Sequence, residues 1–521
     1  REGEWRIADR IIYSLENPIL MGHILAQRYL HPNKYRSRYR ELKAWMDKYA
    51  DHPQARRIYK LALRRRPPNW KKSKKPLSWA RGFGGYNIHR KGYLVYERYR
   101  KLSRLKRREM LEYERRMRFY QRKGWTLAFK KLINKKRVKE LFHPWQLDRG
   151  RARLAASYFA AGRDQWAIQW ANKATRRSGK YLPEAYWTAG LSAWRLGNFQ
   201  KSRDHFRRVS TSPYASSWLV AAGAFWASRA SIRIHRPQDY SKYLEVAAQY
   251  PRTFYGLLAT YLLDNTLKYN WDPPPLSKEA TKELATKPGG RRTVALLQVG
   301  EDRLAEMELR IVFSTAKPKL ARAMLAIADR AEMPSLAMRL GNMLVSSESE
   351  LRDSTAYPAP TLLAENKEVI DRELILAIVR QESRFNPKAK SPRGARGLMQ
   401  LMPGTASFVA QDRRFRGSKL KALFIPNTNI ALGQRYIKIL LKEKVIKGDL
   451  FRMVAAWNAG PGKLSKWFHK VKYNDDALLF VESIPVKETR LFVKRVVTNY
   501  WIYCDRFRQP VDTLVAVAAG K

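Results

Sequence analysis

The chain has 521 residues, too many for one ordinary hydrophobic core, and 45% of them are hydrophobic, so two or three domains with ample material to bury are expected. Lys and Arg number 103 against 45 acidic residues; the resulting net charge of +58 calls for a polyanionic partner, nucleic acid or a carboxylate-bearing polymer, or serves solubility alone. One cysteine, Cys504, excludes an intrachain disulfide, and no run approaches the roughly 20 apolar residues that span a bilayer. The chain opens on Arg1-Glu-Gly-Glu-Trp without Met or a signal-like apolar segment, as expected of a mature form whose targeting peptide has been removed.

Residues 1 to about 65 read as helices, because Ile7, Ile11 and Ile12, then Leu20, Ile24, Leu25 and Tyr29, recur at three- and four-residue spacings. Residues 66–90 read as an exposed basic linker rich in Pro and Gly, ending in the loop Gly82-Phe-Gly-Gly-Tyr86, which lacks the Lys and Ser/Thr of a phosphate-binding loop. From Lys91 to Lys139 Arg and Lys interleave with Tyr, Leu and Trp125. That pattern suits either phosphate tracking with base stacking or a solvated basic helix face with its aromatics in the core. Between Arg149 and Ser212 a repeat emerges: Gly162 and Gly197 stand 35 residues apart, close to the 34-residue period of helical hairpins. The expectation is an α-superhelix of hairpins over residues 91–355, interrupted at Asp272-Pro-Pro-Pro and Pro288-Gly-Gly. The polar, proline-bearing stretch Ser346 to Pro360 sets the last boundary, leaving 356–521 as a separate domain.

In that domain Leu374, Ile378 and Val379 recur at helical spacing after Asp371, a fair helix cap. Glu382 lies four residues past Ile378 and three past Val379, so its carboxyl group falls on the face to be buried. Pro387 cannot continue the helix, which puts Glu382 in its last turn or so. There the negative end of the helix dipole and apolar neighbours both oppose ionisation, and a carboxyl group still protonated near neutral pH can give a proton to a leaving-group oxygen. Asp371, eleven residues earlier, is roughly 16 Å away along the axis, too far to act as the second carboxylate of a standard glycosidase. Three further segments follow: the two-glycine turn Ser391-Pro-Arg-Gly-Ala-Arg-Gly397 with Leu398-Met-Gln400-Leu-Met402-Pro403 behind it; Trp457-Asn458-Ala-Gly460; and Phe480-Val-Glu482-Ser-Ile-Pro485. His23, His31 and His89 are too scattered to read as a metal set, and neither a metal nor another cofactor is called for.

In their order and over about 130 residues, Glu382-Ser383, the Gly397 to Pro403 run, Trp457 to Gly460 and Phe480 to Pro485 resemble the soluble lytic transglycosylases, lysozyme-like enzymes that cleave peptidoglycan glycan strands. Leu20 to Pro32 and Pro251 to Leu258 resemble the helical part of the family's long members. The resemblance implies an all-α protein, a superhelix of helical hairpins followed by a lysozyme-like, mainly α catalytic domain. It implies Glu382 as catalytic acid/base, and Ser383, Gln400, Met402, Trp457, Asn458 and Glu482 around the saccharide. It further implies 1,6-anhydro-muramic products, a periplasmic setting, and peptidoglycan and anionic wall polymers as partners, with envelope proteins possible and nucleic acid not expected. The family usually carries Tyr where Trp457 stands. A hydrolytic muramidase of goose type and a non-catalytic basic scaffold are the alternative readings.

Overall fold

The computed structural model describes residues 3–77, 102–313, 316–348, 352–361 and 370–520; the loop at 82–86 and the start of the basic segment lie outside them. Among the described residues the regular elements are helices, and extended pairing is confined to isolated bridges from Arg396 to Lys390 and to Leu401. The protein is all-α. It divides into two compact units, Arg1–Tyr86 with Tyr269–Thr361, and Asn87–Lys268 with Leu362–Lys521. The chain leaves the first unit and later returns to it, so each unit joins segments far apart in sequence.

In the first unit the Tyr39–Tyr49 helix turns Tyr39, Leu42, Trp45, Met46 and Tyr49 inward, the spacing of one helix face, and Ile58 and Ala62 of the Ala55–Arg65 helix join the same cluster. Leu304, Leu309, Leu320, Met324 and Leu336 build a second cluster from the later segment. Pro288, an interruption by sequence, opens the Pro288–Gln298 helix instead: its missing N–H falls where the first turn has no acceptor to offer.

The second unit contains the repeat. Pro144–Ala160 pairs with Asp164–Ser178, and Pro183–Arg195 with Phe199–Ser210. Gly162 and Gly197 both take positive φ (70° and 75°), and the next N–H closes the same turn in each, Arg163 to the Tyr158 carbonyl and Asn198 to the Ala193 carbonyl, both at 2.9 Å. A third hairpin, Ser217–Arg233 with Gln238–Ala248, makes that turn with His235 at φ 57° and Arg236 N–H bonding the Ser231 carbonyl at 2.9 Å. Glu332 does the same in the first unit. These units escape a search for glycines because another residue bears the left-handed strain.

Within the second unit the hairpins grip the C-terminal helices. Phe254 stacks on Trp501 with centroids 5.1 Å apart, Arg229 pairs with Asp476 at 2.9 Å, and Arg195 donates to the Ser483 hydroxyl at 3.1 Å. The Arg104–Lys123 helix starts at Ser103, whose Oγ accepts from the Lys106 N–H, and ends at Gly124. Met110, Glu114 and Met117 face inward, whereas Phe119 and Trp125 are exposed, so these aromatics of the basic segment are not core residues.

Candidate active site

Glu382 is the last residue of the Arg372–Glu382 helix, whose residues Leu374 to Val379 are all buried. The Lys487–Arg506 helix packs along it, and Asn499 holds the pair together by accepting from Arg380 at 2.7 Å. Ser383 caps the helix end, its backbone N–H and its hydroxyl both donating to the Val379 carbonyl. Arg384 and Phe385 then take positive φ and turn the chain. The Glu382 carboxyl group is mostly buried, and Trp457 Nε1, 75 residues on, donates to its Oε1 at 3.0 Å. Burial raises its pKa from the ordinary 4.5 to about 7; the indole donation pulls the other way, and the negative charge of Glu488 adds to the rise. Tyr436, from the Pro426–Lys442 helix, packs on Trp457 at 5.4 Å.

The Gly397–Pro403 run forms a pinched loop, with Arg396 and Leu401 exchanging backbone hydrogen bonds of 3.0 Å. Gly397 sits at φ +78° where a Cβ would lie 2.1 Å from the Leu423 carbonyl oxygen, so only glycine fits. Gln400, itself at φ 50°, folds its amide back to donate to the Gly397 and Ala389 carbonyls at 2.8 and 3.1 Å. Met402 precedes the Pro403–Ala410 helix and is 41% exposed, an apolar side chain open to a ligand. Asn429, which sequence reading passed over, ties the loop down: its Oδ1 accepts from the Met399 N–H at 2.7 Å while its amide donates to the Arg396 and Leu423 carbonyls. Asn458, beside Trp457, accepts from the Thr489 hydroxyl at 2.8 Å.

Residues 361–480 match the family model of the transglycosylase SLT domain. Over 148 and 152 residues the chain is 40% identical to the soluble lytic murein transglycosylases of Escherichia coli and Salmonella typhimurium. Each alignment covers 28% of this chain and 22% of the relative, so the matched stretch spans under a quarter of those proteins. A putative soluble lytic murein transglycosylase of Haemophilus influenzae is 29% identical over 292 residues, 55% of this chain and 49% of that one. The crystal structure of the 70-kDa soluble lytic transglycosylase from Escherichia coli superposes with TM-score 0.60 at 18% identity, over 97% of this chain and 94% of that one. An inactive Glu-to-Gln mutant of the Pseudomonas aeruginosa lytic transglycosylase Slt gives TM-score 0.58, also at 18% identity, over 98% and 81%. At that identity the likeness is one of fold.

Beyond the SLT match lies the acid of the third segment. Glu482 is buried and occupied: its Oε1 accepts from Lys494 at 2.6 Å and from the Tyr255 hydroxyl at 2.9 Å, and Arg490 bonds its backbone carbonyl. Glu488, in the first turn of the Lys487–Arg506 helix, is exposed and is the acid whose field reaches Glu382. No motif picked it out; its signal was only its place beside Thr489, which reaches Asn458. Together with Asn458, Arg393 and Arg495 they line a groove of about 1790 Å³ that runs from the SLT domain onto the hairpins.

Among the described residues, His23, His52 and Glu308 of the first unit bring ligand-type atoms within 4.8 Å of one another, all buried. They do not suit a cation. Both Glu308 oxygens already accept from Arg292, at 2.7 and 2.9 Å, and one is shared with His23 at 2.8 Å. His52 Nδ1 accepts from the Gln54 N–H at 3.1 Å, so the neutral ring carries its proton on Nε2, the nitrogen a metal would need bare. Burial, with His23 and Arg292 nearby, holds the His52 pKa far below its ordinary value.

Proposed function

We propose that this chain is a lytic transglycosylase of the periplasm. It breaks the β-1,4 bond between N-acetylmuramic acid and N-acetylglucosamine in peptidoglycan and leaves 1,6-anhydro-muramic ends. The observation that carries this reading is the mostly buried Glu382 carboxyl group, held by Trp457 with its pKa lifted to about 7. Half protonated near neutrality, it can both give and take a proton. It first protonates the bridging oxygen as the muramic ring gains positive character, which the substrate's own acetamido oxygen offsets. Glu382, now ionised, then removes the proton from the C6 hydroxyl, and that oxygen closes on C1 within the same sugar. A tethered nucleophile needs no activated water, so one acid suffices. Gln400, Met402 and Asn458 border the saccharide, with Ser383 and Glu482 supporting the turn and the third segment. The names of the relatives, an SLT match that contains Glu382, and the inactivity of a Glu-to-Gln mutant of the Pseudomonas enzyme all support this assignment.

Glu488 is the observation that favours a hydrolytic muramidase, since a second carboxylate could activate water. Digestion of purified sacculi separates the two: muropeptides lighter by one water, without reducible muramic ends, are expected, and reducing ends would make the protein a hydrolase. Glu382→Gln should bind glycan but lose at least about a hundredfold in turnover, the usual cost of deleting a general acid/base. An active Gln variant would remove Glu382 from the mechanism.

A further inference from the structure

The Arg104–Lys123 helix carries Arg104, Arg108, Leu111, Arg115, Arg118 and Arg122 at alternating spacings of four and three residues, so all lie on one face, and all are exposed. The acids inside the same helix neutralise only Arg118 of that face, and Glu112, exposed beside Arg108 and Arg115, lies within ion-pair distance of neither. Glu109 is taken by Arg137, and Glu114 bridges Arg118 and Arg149. Arg104, Arg108, Arg115 and Arg122 have no carboxylate partner among the described residues. The stripe covers 19 residues, Arg104 to Arg122, about 27 Å of helix. It does not stand alone: the shallow groove along Arg104 to Arg118 shares Arg115 and Arg118 with the large groove that reaches Asn458, next to Trp457 within the SLT match, and Glu488 and Thr489 just beyond that match. Next to the stripe, Phe119 and Trp125 present exposed rings in edge-to-face contact at 5.5 Å, flat apolar faces of the kind that sugar rings cover.

We propose that this arginine track is a remote subsite for the carboxylate-bearing peptide stems of the same polymer that is cut at Glu382. The inference rests on the transglycosylase reading. A ladder of unpaired guanidinium groups recognises repeated carboxylates or phosphates alike. Continuity with the SLT groove favours the carboxylates, because an occupant of the track that also reaches Asn458 is a polymer with a glycosidic bond to offer. Nucleic acid would use the track without using the site. The consequence is a substrate preference: stems held far from the scissile bond bind the ground and transition states equally, so they lower KM and leave kcat unchanged.

The test compares the full-length chain with its Arg104→Gln/Arg108→Gln/Arg115→Gln/Arg122→Gln variant, after matched thermal melts show both folded. Two substrates are used, intact sacculi and sacculi whose stem carboxylates have been converted to neutral amides with carbodiimide and ammonia. On intact sacculi KM should rise about tenfold or more at constant kcat, the combined effect of four exposed charge pairs. On amidated sacculi the two proteins should agree. Equal KM values on intact sacculi, or equal losses on both substrates, would overturn the proposal. So would salt-sensitive binding of a 20-nucleotide RNA that the variant loses while its KM on intact sacculi stays unchanged. A wild type that turns over neither substrate would count against the transglycosylase reading, and cosedimentation of both proteins with the two kinds of sacculi would still decide the track.

Discussion

A carboxyl group raised from 4.5 to about 7 by burial is a balance of opposing neighbours, and each can be removed separately. Trp457→Phe deletes the indole donor that lowers the pKa, so the alkaline limb of the pH–rate profile should move up. Glu488→Gln deletes the like charge that raises it, so the limb should move down. Shifts in the same direction would show that the limb does not report Glu382. Trp457→Tyr restores a donor and should retain much of the activity, whereas Trp457→Ala should lose most of it. Stability carries the same signature. Because the folded pKa of Glu382 lies above the unfolded one, the folded state binds the proton more tightly. Wild-type stability should therefore fall as pH rises from 4.5 to about 7 and then level off. Glu382→Gln removes that dependence, so it should match wild type below pH 4.5 and exceed it above pH 7 by up to about 3 kcal/mol. Thermal melts across that range would expose a constant difference if the account is wrong.

At the scale of elements, the pinched loop and the third segment depend on single residues. Gly397→Ala would drive a Cβ to 2.1 Å from the Leu423 carbonyl at a left-handed φ, so the loop must open or distort. The variant should lose several kcal/mol, about 1–3 from the backbone conformation plus the steric cost, and activity with it. Glu482→Gln leaves Lys494 buried without its counter-charge and should cost about 3–5 kcal/mol in chemical denaturation. Glu482→Gln with Lys494→Met should recover much of that loss, because the pair is then gone together. A double variant no better than the single one would mean that the Tyr255 contact, not the charge, dominates.

For the whole molecule, 103 Lys and Arg face only 45 acids, so a net charge of +58 is left without an internal counter-charge. Binding to sacculi should therefore weaken steeply with salt, as the screening length falls from about 10 Å at 0.1 M to about 3 Å at 1 M. Cosedimentation that is unchanged over that range would leave the charge a role in solubility alone. Among the described residues no helix is long and apolar enough to cross a membrane.

The sequence alone determined what local rules control. Periodicity buried Leu374 to Val379, and the break at Pro387 left Glu382 in the final turn; the 35-residue spacing of Gly162 and Gly197 marked two hairpins, and the grouping around Gln400 and Asn458 was legible as motifs. Contacts across the chain were decided only in three dimensions. Trp457 meets Glu382 from 75 positions away, and Tyr255 meets Glu482 from 227. The return of Tyr269–Thr361 to the first unit brings Glu308 to His23, 285 residues earlier. Glu482 and Glu488 look alike in sequence, yet Glu482 is buried against Lys494 and Tyr255 while Glu488, in the first turn of the next helix, is exposed. Left-handed turns at His235 and Glu332 stayed hidden for a related reason. Packing of the flanking helices supplies the free energy that holds an unfavourable φ, and no single residue type announces it.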